Sequence, residues 1–150
     1  MNRLWLVLLG LFTWSVSAWA GTKNPFRVEA SNTEIVAGAA GVVQVTVRVP
    51  ADHYLYRDMM AVEVVSAEKL EMGEASFPPG HTKPDPADPS ATREQYDMDV
   101  VIEVPVTAPA QTGNYPVTFS VRYQGCKQSL CWMPQTENVD ATVKVTGAAK

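Results

Sequence analysis

Several segments of the chain alternate apolar and polar residues with a period of two, and no helical period, heptad or internal repeat of useful length competes with them. In Val43-Gln44-Val45-Thr46-Val47-Arg48-Val49 the valines fall on one face and the polar residues on the other. Val117, Phe119, Val121 and Tyr123 share one face against Thr118, Ser120 and Arg122, and Val139, Ala141, Val143 and Val145 repeat the pattern near the end. Successive side chains of a strand point to opposite sides, so each run has one face for a core and one for water. Such a chain must build sheets that cover one another.

The first twenty residues stand apart. Arg3 lies in a short basic start, Leu4 to Phe12 is apolar, and Ala18-Trp19-Ala20 offers a small-x-small cleavage site, the pattern of a secretory signal peptide over 1–20. The apolar run is shorter than the roughly 20 residues needed to span a bilayer. No cysteine follows the cleavage point, so the expected product is a released domain over 21–150 with no membrane insertion, exported to the periplasm. Loss of Arg3 moves the formal charge from −4 to −5, which argues against nucleic acid as a partner.

Along the mature region, Phe26 to Ala30 reads as a first strand, followed by a turn at Ser31-Asn32. Pro50-Ala51-Asp52 stops the second long strand, and His53-Tyr54-Leu55-Tyr56 opens an extended piece leading to Ala61 to Val65. From Phe77 to Arg93 the composition changes: Pro78, Pro79, Pro84, Pro86 and Pro89 stand among Gly80, Asp85, Asp88 and Ser90, so neither helix nor central strand is expected. A loop of this length inside a compact domain usually serves function or motion. Tyr96 to Val104 resumes the extended pattern, and Pro105 predicts that this strand ends or lies at an edge. About seven short strands separated by turn signals read as an all-β, immunoglobulin-like antiparallel β-sandwich, with a β-barrel as the alternative. The Cys…Trp…Cys spacing of antibody domains is absent, so the likeness is one of architecture.

Chemistry concentrates in Tyr123-Gln124-Gly125-Cys126-Lys127-Gln128-Ser129-Leu130-Cys131-Trp132-Met133-Pro134, which carries both cysteines and the only tryptophan beyond residue 20. Four residues separate the thiols, a spacing suited to the facing arms of a tight hairpin. By the loop-entropy model so small a ring stabilises by only about 2 kcal/mol. From these residues alone an inert disulfide and an exchanging one both stay open.

The same residues resemble the N-terminal periplasmic domain of the thiol:disulfide interchange protein DsbD. Tyr123-Gln124-Gly125-Cys126, the short gap to Cys131 and the following Pro134 carry the likeness, and His53-Tyr54-Leu55-Tyr56 looks like that family's tyrosine pair. The resemblance implies an immunoglobulin-like carrier without a cofactor. It would take electrons from a thioredoxin-like or membrane thiol donor and reduce periplasmic thioredoxin-fold proteins, including disulfide isomerases and cytochrome c maturation factors. It implies that Cys131 forms the intermolecular disulfide and Cys126 resolves it, with Tyr54 and Tyr56 packed around the pair; Trp132, next to Cys131, is a docking candidate because aromatic residues are enriched at interfaces. The family's cap loop matches here only in position, to Phe77 to Arg93, with no aromatic at its centre. Pro86 or Pro89 is then the candidate cover for the sulfurs, and Asp85 or Asp88 the candidate cap acid. The family's full protein continues into a membrane conduit and a thioredoxin domain, whereas this chain ends at Lys150, so a separate membrane thiol transporter is the expected donor.

Plainer readings stand beside these. Tyr54 and Tyr56 lie two apart and could simply pack across strands, and Trp132 could serve a core or a docking rim equally. His53, His81, Met59, Met60, Met98 and Met133, with the thiols, offer soft ligands for monovalent copper but show no ligand spacing. An adhesion or assembly module with an inert disulfide is the non-redox alternative. No motif for hydrolysis or nucleotide binding is present.

Overall fold

In the computed structural model residues 23–147 are described, except 87; the signal-peptide reading over 1–20 therefore lies outside the described residues. The strands run in the order β1 (Arg27–Ala30), β2 (Thr33–Val36), β3 (Ala40–Arg48), β4 (Tyr54–Tyr56), β5 (Ala61–Ser66), β6 (Glu71–Met72), β7 (His81–Pro84), β8 (Thr92–Tyr96), β9 (Val100–Thr107), β10 (Gly113–Tyr123), β11 (Gly125–Lys127), β12 (Leu130–Cys131) and β13 (Gln135–Thr146). One 3-10 turn, Arg57–Met59, joins β4 to β5. The strands form three sheets, ordered β1-β3-β9-β6, β2-β13-β10-β5 and β12-β11-β4-β8-β7. Every pairing is antiparallel except that of β2 with β13, which is parallel.

The first two sheets enclose the core with the residues that the period-two pattern singles out. Val43, Val45 and Val47 of β3, Val100, Ile102, Val104 and Val106 of β9, and Val117, Phe119, Val121 and Tyr123 of β10 are buried in one cluster with Ala141, Val143 and Val145 of β13. Each fully enclosed aliphatic or aromatic side chain of this kind contributes roughly 1.5–3 kcal/mol relative to leaving it in water. The intervening residues of β9, Val101, Glu103 and Pro105, face outward.

Two features depart from the expected strand plan. Pro105 lies inside β9, which runs on to Thr107 between β3 and β6, so its strand neither ends there nor forms an edge. The Pro105 carbonyl accepts a hydrogen bond from the Gly73 N–H at 2.8 Å, so the donor that proline lacks would have faced the β6 side. Pairing with β6 is already finishing there: it covers only Glu71 and Met72, and contact resumes at an isolated bridge between Ser76 and Glu103. The proline-rich stretch, in turn, holds an edge hairpin, β7 against β8 from His81↔Gln95 to Pro84↔Thr92. Pro84 closes an edge strand, where a missing donor costs no ladder bond.

The third sheet sits at the end of the longest hairpin. β10 and β13 pair without a break from Gly113↔Val145 to Tyr123↔Gln135, and the segment between Tyr123 and Gln135 carries β11 and β12. The cysteines are thus a direct extension of a core strand.

Candidate functional site

The turn between β11 and β12 is Gln128-Ser129, because Lys127 pairs with Leu130. Gln128 adopts φ +53°, in the left-handed region that a side chain disfavours by roughly 1–2 kcal/mol. One pair further back, Cys126 stands directly opposite Cys131, with Cα atoms 4.0 Å apart, and the two form a disulfide. Their surroundings differ: Cys126 is fully buried and Cys131 is partly exposed. Behind them Gly125 lies so close to the Phe26 ring that a Cβ would fall 2.0 Å from one ring carbon, so glycine alone fits. The Gly125 carbonyl also accepts the Trp132 N–H at 2.9 Å, which turns the chain out of the hairpin.

Register brings the tyrosine pair to the disulfide. Cys126 is paired with Tyr54 across β11 and β4, and Tyr56, two residues on, shares its face. Tyr54, Tyr56 and Cys126 form a small buried cluster, against which Met59 and Cys131 pack. The two rings meet edge-on with centroids 5.3 Å apart. The Tyr54 hydroxyl donates to the Gln128 carbonyl at 2.6 Å and thereby holds the hairpin tip. The Tyr56 hydroxyl donates to Asp85 Oδ1 at 2.7 Å. Burial pushes the Tyr56 hydroxyl well above the usual tyrosine range, and its hydrogen bonds with Tyr54 and Asp85 push it further, so it stays a neutral donor.

Asp85 belongs to the proline-rich segment, and an arginine fastens that segment in place. The Arg93 guanidinium lies 3.6 Å above the Tyr56 ring, bonds both oxygens of Asp58 at 2.6 and 2.7 Å, and stands 3.7 Å from Asp85. Of the two candidate cap acids, Asp85 is buried on Tyr56, whereas Asp88 is exposed and accepts hydrogen bonds from Ser90 within the tip. The backbone of the tip closes through Asp85 N–H to Ala91 at 2.9 Å, Asp88 N–H to Asp85 at 3.1 Å and Ala91 N–H to Asp88 at 2.9 Å.

Of the residues singled out in the sequence, Cys126, Cys131, Tyr54 and Tyr56 come together, and Trp132 does not join the tyrosines. It lies half-buried against Phe26, with ring centroids 5.9 Å apart, and against His53 at 5.4 Å, on the edge of the main core. His81 is paired with Gln95 on the edge strand β7, whereas His53 precedes β4 and stacks against Trp132. Among the described residues no group of three or more His, Cys, Asp or Glu is placed to hold a metal ion. Arg93 and Asp58 escaped the sequence reading as site residues, because an aspartate in a 3-10 turn and an arginine beyond a proline cluster carry no local signal of contact; Met59 entered it only as a candidate copper ligand.

A disulfide that joins a buried Cys126 to a partly exposed Cys131, on a hairpin whose tip Tyr54 holds, is of the kind that a thiolate can open by exchange. The chain resembles the DsbD N-terminal domain of Neisseria meningitidis in its reduced form, with 24% identity over 70% of this chain and 79% of that one and a TM-score of 0.51. The same domain in its complex with the PilB N-terminal domain from Neisseria meningitidis gives 22% identity, 82% and 87% coverage and a TM-score of 0.54. A cohesin in a type I cohesin–dockerin complex from Clostridium thermocellum gives a TM-score of 0.52 at 13% identity, covering 82% of this chain and 100% of that one. These likenesses establish an immunoglobulin-like β-sandwich. No curated protein matches the chain. Among the described residues no helix is long and apolar enough to cross a membrane. The family model for the N-terminal region of the thiol:disulfide interchange protein DsbD matches residues 24–143, which include both cysteines and both tyrosines, and the chain belongs to that family of thiol:disulfide interchange domains.

Proposed function

We propose that this domain is a periplasmic electron carrier that reduces oxidised thioredoxin-fold proteins through Cys131 and Cys126. The observation that carries the assignment is the contrast in exposure across the disulfide, fully buried Cys126 against partly exposed Cys131. A donor dithiol, thioredoxin-like or borne by a membrane thiol transporter, first reduces the pair. The Cys131 thiolate then attacks one sulfur of the partner's disulfide, the other partner sulfur leaves as a thiolate, and a mixed disulfide forms. Cys126, deprotonated in turn, attacks the Cys131 sulfur, restores the intramolecular bond and releases the partner as a dithiol. Two electrons and two protons pass to the partner in each cycle.

Proximity supports this division of labour. The hairpin holds the resolving sulfur directly opposite the attacking one, so the second step is intramolecular and competes with back-attack by the partner's own released thiolate. An ordinary thiol has a pKa of about 8.5 and is mostly protonated near neutrality, so docking rather than raw reactivity sets the rate.

The test is capture of intermediates. Cys126→Ser leaves Cys131 free to attack and removes the resolving group, so mixed disulfides with thioredoxin-fold proteins should accumulate on non-reducing gels. Cys131→Ser should capture at least tenfold less. Equal capture by the two variants overturns the assignment of roles, and capture by neither returns the disulfide to a structural part.

A further inference from the structure

The face that carries the disulfide continues past the tyrosines. Across adjacent strands Tyr56 is paired with Gln95 and Gln95 with His81, so these side chains lie on the face that Cys126 and Tyr54 share. Gln95 is 4% exposed, and its Nε2 has no hydrogen-bond partner among the described residues. An amide donor in that position has given up water without replacement. The hydroxyls of its neighbours Tyr54 and Tyr56 are both engaged.

Beside Gln95 opens a cleft of about 530 Å³, walled by residues 52–54 on one side and by Lys83, Gln95, Asp97 and Met98 on the other. Its charges describe what it can accept. Lys83 is committed to an ion pair with Asp97, and the remaining carboxylate in the wall is Asp52, so an anionic ligand finds no surplus of positive charge. A neutral acceptor matches the unpaired donor, and Met98, 66% exposed, offers a soft apolar lip. A main-chain carbonyl is such an acceptor.

Position supplies the rest. Cys131, Cys126 and Tyr54 sit in one row across three neighbouring strands. Strands are spaced ~4.8 Å apart and rise ~3.3 Å per residue, so Gln95, one strand beyond Tyr54 and opposite Tyr56, lies about 16 Å from Cys131, the reach of about five extended residues. We propose that the cleft is a subsite for partner polypeptide. A main-chain carbonyl about five residues from the partner's reacting cysteine accepts a hydrogen bond from Gln95 Nε2, and Met98 covers the adjoining residue. Rotation of the amide about its last torsion, which is broad and weakly restrained, brings Nε2 to the opening. This rests on the carrier reading, and it adds a specificity determinant away from the cysteines.

The experiment compares wild type, Gln95→Leu and Met98→Glu in their reduced forms. Each is mixed with the oxidised thioredoxin-fold protein that Cys126→Ser traps, purified for the purpose, and their oxidised forms are reduced in parallel with dithiothreitol. Gln95→Leu removes an unpaired donor at similar volume, so its melting temperature should hold or rise, and exposed Met98 tolerates substitution. Both variants should lose about tenfold in second-order rate with the protein partner, with the loss in its half-saturating concentration, and should match wild type with dithiothreitol. Wild-type rates for both variants with the protein partner overturn the subsite alone. Equal slowing with dithiothreitol also overturns it, because the change then acts on the disulfide. A wild type that reduces no thioredoxin-fold protein overturns the carrier reading, and the subsite falls with it.

Discussion

Gly125 shows how little room a single position near the disulfide leaves. The Phe26 ring occupies the space a side chain would need, with the nearest ring carbons 2.0 and 2.3 Å from an ideal Cβ. Gly125→Ala should therefore force β11 or Phe26 to move and lower stability by about 1–3 kcal/mol, the usual cost of overpacking. Urea unfolding followed by circular dichroism measures it, and an unchanged midpoint would mean that the ring yields freely. The sequence marks Gly125 as part of a cysteine motif and says nothing of Phe26, since that contact joins opposite ends of the domain. Asp85 is a similar case: it stood equal to Asp88 in the sequence, and only the approach of the β7–β8 tip to Tyr56 distinguishes them. Tyr54 and Tyr56 were legible because a spacing of two puts them on one face of any strand.

Long strands announce themselves by alternation, and β3, β9, β10 and β13 were readable for that reason. The third sheet was legible only in pieces: the cysteine hairpin and the extended Tyr54–Tyr56 piece were expected, but not their pairing, because β4, β11 and β12 have three, three and two residues, too few to show a period. Pro84 and Pro105 misled in opposite ways, since one sits in a paired edge strand and the other in an inner strand whose missing donor faces a neighbour already ending. Between elements, Arg48 at the end of β3 bonds Glu29 of β1 at 3.0 Å and Asp99, just before β9, at 2.8 Å, and the Val49 N–H reaches Asp99 at 2.9 Å. The Arg48 hydrogen bond, followed by that of Val49, holds the Asp99 carboxyl below its usual value of 3.8. A carboxyl depressed in the folded state adds stability that is present above the unfolded value and disappears as pH falls through the folded one. Asp99→Asn should thus melt a few degrees lower at pH 7, with the gap closing as pH falls below about 4. A gap that stays constant from neutral to strongly acidic pH would assign the loss to something other than ionisation.

At the scale of the molecule, the sandwich and the redox hairpin are separable. The core lies in β3, β9, β10 and β13, and the disulfide closes a ring of six residues beyond the last β10–β13 pair. Opening that ring removes about 2 kcal/mol at most by the loop-entropy model and touches none of the core contacts. Reduction should accordingly leave the fold intact, a property a carrier needs because it must dock in both redox states. The central claim is that the folded domain passes two electrons between Cys126–Cys131 and a thioredoxin-fold disulfide. The most direct measurement mixes the reduced domain with one equivalent of such an oxidised protein, counts free thiols on each by alkylation and mass spectrometry, and records circular dichroism before and after. The account predicts two thiols lost from this domain for every two gained by the partner, with an unchanged β-sheet spectrum throughout. Thiols that stay where they started, or a folded spectrum that collapses on reduction, would contradict it.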